Sequence, residues 1–275
     1  MASAAGRYEP RALWASLDLL ISSGCARYSL PLVRAAAAKA GGQLRSLDIT
    51  GQQLLDLNSD FLLLLDVVKA NPATLTVLRV DTESNWIINY VRQLLQAAHA
   101  MQLFEASLSV LGDHQVARAM LRNEPPFQAL RLRRLYVYSD GLNITANMIA
   151  FCSDLRGHTS LEELALSMAT LNTSVALGAL VDACISLSLR KLVLDGCHIV
   201  PAVLPQLTRL IAAGKVRELD VGNLHVQMFD ETHESTRLFI AAVRASYMTR
   251  LSLANLGVLP ESVMDAAAFI NARTL

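Results

Sequence analysis

Six histidines and four cysteines are the residues from which catalysis or a metal site would be built in this 275-residue chain. The histidines stand at His99, His114, His158, His198, His225 and His233 with no shared spacing, so they supply neither a base beside a nucleophile nor a set of metal ligands. The cysteines, Cys25, Cys152, Cys184 and Cys197, contain no CxxC pair. Cys152 and Cys184 fall on apolar stripes of helical spacing, where burial suppresses reactivity. Gly214-Lys215 lacks the glycine-rich lead-in of a phosphate loop and reads as the end of a helix. Asn143-Ile144-Thr145 and Asn172-Thr173-Ser174 have the form of glycan acceptors, but read more simply as turns, with Thr145 and Ser174 capping the helices that follow. The expectation is a chain that is not an enzyme, with no catalytic residues, no metal and no cofactor.

Composition narrows the partners. Twenty-four basic residues balance 24 acidic ones, which disfavours generic binding to nucleic acid or to an anionic membrane. The longest aliphatic run, Phe61 to Val68, is interrupted by Asp66 and falls far short of the roughly 20 residues that cross a bilayer. The apolar segment from Leu13 to Ile21 contains Asp18 and follows Glu9, unlike a secretory signal. Together with unpaired cysteines, this predicts a cytoplasmic protein.

Leucine fills 49 positions, and it recurs in a pattern. Apolar residues at the first, fourth and sixth places of a short string appear in LRSLDI from Leu44, LTVLRV from Leu75, MQLFEA from Met101 and LRRLYV from Leu132. They return in LEELAL from Leu161, LRKLVL from Leu189, VRELDV from Val216 and MTRLSL from Met248. The starts lie 26 to 32 residues apart. Five places after the third apolar site stand Leu54, Leu111, Leu142, Leu171, Ile199, Val226 and Val258, with Asn85 the one exception.

This chain resembles the leucine-rich repeat superfamily, and its long period resembles the ribonuclease-inhibitor-like branch. The resemblance covers residues 44–275. It implies an α/β solenoid of about eight repeats, with a curved parallel sheet on the concave face and helices on the convex face. Return helices are expected at Asp60 to Lys69, Thr145 to Leu155, Ser174 to Cys184, Val203 to Ala213 and Thr236 to Arg244, where apolar residues recur every three to four places. Where the family places Asn or Cys in the turn, only Cys197 fits. Residues 1–43, with helices expected at Pro10 to Ser22 and Ser29 to Lys39, read as an N-terminal helical cap. Leu275 falls where a ninth repeat would begin, which predicts truncation within the stack.

Strand alternation turns the third, fifth and seventh residue of each string outward. The third-place column from the fourth repeat on is Arg134, Glu163, Lys191, Glu218 and Arg250, a ladder of alternating sign. The fifth and seventh places add Arg79, Glu105, Tyr136, Tyr138, Val193, Asp195 and Asp220. Paired tyrosines on a rigid strand are suited to anchoring a protein interface. The function expected is non-catalytic recognition of another protein on the concave face, as the recognition arm of a larger protein or complex, through Arg79, Glu105, Arg134, Tyr136, Tyr138, Glu163, Lys191, Val193, Asp195 and Asp220. The alternative is a GTPase-activating regulator of a small GTPase, which the resemblance to repeat domains of that activity suggests and which would rest on Arg79.

Overall fold

The computed structural model describes residues 44–49, 57–81, 88–97, 102–111, 114–124, 127–187, 189–222, 234–253 and 261–272. The expected cap, Cys25, Asn85, Val226 and Val258 lie outside them. The chain divides into two compact units, one of residues 1–108 and 125–131, the other of residues 109–124 and 132–275. Both are α/β, with parallel strands and intervening helices, an architecture compatible with a leucine-rich-repeat solenoid.

In the first unit, β1 (Ser46–Ile49) pairs in parallel with β2 (Val77–Asp81), and β2 with β3 (Leu103–Leu111). Helix α1 (Leu57–Ala70) follows β1, and α2 (Ile88–Ala97) follows β2 and packs on α1. Leu47, Leu64, Val68, Leu75 and Leu78 are fully buried, so the first and fourth places of the repeat and one face of the helix share a core.

The second unit carries five parallel strands hydrogen-bonded in chain order: β4 (Leu130–Tyr138), β5 (Glu163–Ser167), β6 (Lys191–Asp195), β7 (Glu218–Asp220) and β8 (Arg250–Ser252). Between them run α4 (Thr145–Leu155), α5 (Ser174–Ser186), α6 (Leu204–Ala212) and α7 (Glu234–Ala245), with α3 (His114–Leu121) before and α8 (Glu261–Ala272) after. Each helix from α3 to α8 packs on the next. The five helices expected from apolar spacing are all present, and α2, α3 and α8 add to them.

The register explains the core. Leu135, Leu164, Leu192, Leu219 and Leu251 stand side by side across the five strands, and all are buried. Leu142, Leu171 and Ile199, five places beyond the third apolar site, are buried as well. Because the first and fourth places both point inward, the second and third must both point outward. The regular alternation slips by one residue there, as Arg133 and Arg134 show by being exposed in succession.

Buried polar groups tie one repeat to the next. Asn71 accepts the Leu44 N–H at Oδ1 (3.0 Å) and donates from Nδ2 to the Val67 carbonyl (2.9 Å). In the second unit His158 plays the matching part, its Nε2 accepting the Leu132 N–H at 3.2 Å. An accepting Nε2 places the proton of the neutral ring on Nδ1. Each side chain satisfies the backbone donor that opens a repeat, a group that would be costly to bury alone.

On the helices, Asp182 of α5 pairs with Arg156 at 3.4 Å and with Arg209 of α6, while Asp154 of α4 pairs with Arg118 of α3 at 2.6 Å. Carboxylates in successive helices thus bind arginines from neighbouring repeats. Helix ends follow local chemistry. Thr173 caps α5, its hydroxyl accepting the Ala176 N–H at 3.1 Å, and Gly214 ends α6 with φ +66, a left-handed conformation that a side chain resists. The capping roles expected of Ser174 and Thr145 are corrected here. Ser174 is already the first residue inside α5, and the residue flanking α4 is Ile144, which has no side-chain acceptor.

Candidate protein-recognition surface

Strand pairing arranges the outward residues of the second unit in rows that run across the sheet. The first row is Arg134, Glu163, Lys191, Glu218 and Arg250; the second is Tyr136, Ala165, Val193, Asp220 and Ser252. A third contains Tyr138, Ser167 and Asp195. Eight of the ten candidate residues therefore lie on the strands of the second unit: Arg134, Tyr136, Tyr138, Glu163, Lys191, Val193, Asp195 and Asp220. Arg79 and Glu105 belong to the first unit, where they are register partners on β2 and β3.

The charged row is tied together differently from a simple ladder. Arg134 Nε lies 3.4 Å from Glu163, but the partner of both Glu163 and Glu218 is Arg190, at 3.5 and 3.6 Å. Arg190 stands one residue before Lys191 and reaches the glutamates on either side of it. Arg133 forms a two-pronged pair with Glu162, Nε to Oε1 at 3.2 Å and Nη2 to Oε2 at 3.0 Å. These side chains are exposed or half-exposed, so their contribution to stability is small and their value lies in orientation. Among the described residues, no carboxylate lies within ion-pair distance of Lys191, Arg217 or Arg250.

Reading only the third, fifth and seventh places as outward misses Arg133, Glu162, Arg190 and Arg217. The available signal was that the second place is charged in four consecutive repeats. Backbone bonds align these residues too: the Glu162 N–H donates to Arg133, Arg190 to Glu162, and Arg217 to Arg190.

The second row begins with aromatic and apolar residues. Tyr136 and Val193 are half-buried, Tyr138 is 39% exposed, and Ala165 beside Tyr136 offers only a methyl group. Beyond Tyr138 and Ser167, Met168 is 48% exposed and holds a left-handed φ of +60. Gly196 itself holds a left-handed φ of +60, which accounts for a glycine at that place, and the Met168 sulfur lies 3.0 Å from where a Cβ on it would sit. At the finishing end of β6 and β7, Asp195 and Asp220 converge. One carboxylate oxygen of each approaches the same side of Gly222, 3.4 and 3.6 Å from the position of a Cβ there.

The three described thiols are buried. Burial pushes Cys152 and Cys197 up to about 12, and raises Cys184 as well. Cys197 occupies the turn position that the repeat pattern reserves for Asn or Cys, and its thiol donates to the Leu166 carbonyl at 3.4 Å. Among the described residues, no three metal-ligating side chains converge on a metal site, and no helix is long and apolar enough to cross a membrane.

No family model matches the chain, and no curated protein does. Among solved structures, it is similar to the crystal structure of a TLR13-ssRNA13 complex, at 16% identity and a TM-score of 0.31, over 70% of this chain and 24% of that one. The chain thus spans about a quarter of the length of that protein.

Proposed function

We propose that this chain is a non-catalytic protein-recognition module, built as a leucine-rich-repeat solenoid of about eight repeats of the ribonuclease-inhibitor-like type. Its partner is another protein, bound on the outward strand face of β4–β8, and the chain serves as the recognition arm of a larger protein or complex. The observation that supports this reading is the register. It sets Tyr136 and Val193 in one row with Asp220, and Tyr138 in the next with Asp195, all beyond a charged row, on strands whose other side is filled by buried leucines. Aromatic and apolar side chains bordered by charged ones on a rigid sheet have the composition of an interface core and its border.

The test is a double substitution, Tyr136→Ala with Tyr138→Ala, measured against an identified protein partner. Affinity falls by about tenfold or more if the rings anchor the interface. Unchanged affinity in a variant with unaltered circular dichroism overturns the reading.

A further inference from the structure

The outward face of the second unit is electrically graded along the strands. At the starting end, the second and third places of the repeats hold Arg133, Arg134, Arg190, Lys191, Arg217 and Arg250 against three carboxylates, Glu162, Glu163 and Glu218. Those glutamates are taken up by Arg133, Arg134 and Arg190, which leaves Lys191, Arg217 and Arg250 as cations without an ion-pair partner among the described residues. At the finishing end stand Asp195 and Asp220, and among the described residues no cation lies within ion-pair distance of Asp220. Tyr136, Ala165 and Val193 share the row of Asp220 and precede that of Asp195, and the Asp220 carboxylate reaches with that of Asp195 toward Gly222.

From this grading, and resting on the recognition reading above, we infer that the face takes an extended peptide segment of mixed charge. The segment lies along the strand direction, with a carboxylate over Lys191, Arg217 and Arg250, an apolar side chain against Tyr136 and Val193, and a lysine or arginine at Asp195 and Asp220. The spacing follows from geometry. Lys191 and Asp195 are four residues apart on β6, roughly 13 Å at about 3.3 Å per residue. An extended peptide covers that span in four residues, and its alternate side chains point the same way, so the acidic, apolar and basic residues fall at every second place. A segment with the same charge at both ends meets repulsion at one pole.

The probe is the labelled peptide Glu-Ser-Leu-Ser-Lys, set against Glu-Ser-Leu-Ser-Glu and Lys-Ser-Leu-Ser-Lys in a fluorescence-polarisation or NMR titration at low salt. The mixed-charge peptide is expected to bind about tenfold more tightly than either control. Reversing the starting pole by Arg217→Glu with Arg250→Glu shifts the preference to the doubly basic peptide. Reversing the finishing pole by Asp195→Lys with Asp220→Lys shifts it to the doubly acidic one. Should a double reversal unfold the sheet, Arg250→Gln and Asp220→Asn carry the same test, each erasing the preference at its own pole. Equal affinity for the three peptides, no binding of any, or a preference unmoved by the substitutions overturns the inference. Loss of an identified protein partner on removing Tyr136 and Tyr138, together with indifference to both reversals, overturns the charge grading alone and leaves the recognition reading standing.

Discussion

Asn271 of α8 grips both backbone polar groups of Leu251 in β8, accepting its N–H at Oδ1 and donating from Nδ2 to its carbonyl, each at 3.1 Å. On the other side of β8, Arg250 donates to the Arg217 carbonyl and Ser252 accepts the Val221 N–H, so by alternation the polar groups of Leu251 point away from β7. A carboxamide carries the same donor and acceptor as a peptide unit, and Asn271 thereby does for β8 what a neighbouring strand does for β5, β6 and β7. Asn271→Ala is expected to cost about 1–2 kcal/mol, the price of two hydrogen bonds partly replaced by water. Amide exchange localises the effect: the Leu251 N–H speeds up while those of β5 and β6 keep their protection. Uniform acceleration across all strands rules out this local role.

The core makes a sharper demand at Leu164, which lies in register between Leu135 on β4 and Leu192 on β6 and is 1% exposed. Leu164→Asp places a carboxylate among leucines with no partner, at a cost above about 4 kcal/mol. Leu164→Ala leaves a cavity and costs about 2–5 kcal/mol. The expected result is loss of the cooperative urea transition in the aspartate variant and a lowered midpoint in the alanine variant. A cooperative transition at the parental midpoint in Leu164→Asp contradicts the register.

How far these features were visible beforehand depends on the kind of order involved. The columns of Leu135, Leu164, Leu192 and Leu219 were legible because a repeated unit converts sequence spacing into spatial neighbours. The same arithmetic placed Lys191 between Glu163 and Glu218. It did not show that Arg190 takes both glutamates, because long side chains choose partners by reach, and Arg190 lies just before β6, where alternation is not yet in force. Nor did spacing reveal the equivalence of Asn71 and His158. Two chemically different residues satisfy the same backbone donor, so no shared letter marks the position. Repeat number alone predicts Arg79 and Glu105 on the same surface as the tyrosines; the structure adds their mutual register within the first unit.

The role of His158 gives a further prediction. His158→Phe keeps a ring of similar size but removes the acceptor for the Leu132 N–H, leaving that buried donor unsatisfied. Destabilisation of about 1–3 kcal/mol is expected in urea unfolding. His158→Gln, which restores a carbonyl acceptor, is expected to recover part of it. Equal stability of the phenylalanine variant and the parent would show that the Leu132 donor does not depend on the ring.

The buried thiols contribute to alkaline behaviour. Cys152, Cys184 and Cys197 are held in the neutral form by burial, whereas in the unfolded chain they ionise near the ordinary value of 9. The folded state therefore retains protons that the unfolded state gives up above that value. Stability from this source is whole below about pH 9 and is lost as pH climbs toward about 12. Two measurements follow. Iodoacetamide at pH 8, read by peptide mass spectrometry, leaves these three cysteines unmodified in the folded protein and modifies them in urea. Denaturation midpoints fall between pH 9 and pH 11, and Cys184→Ala shows a shallower fall because one of the three buried protons is gone. Rapid labelling at pH 8 without denaturant would place the thiols at the surface and remove the cause of the alkaline loss.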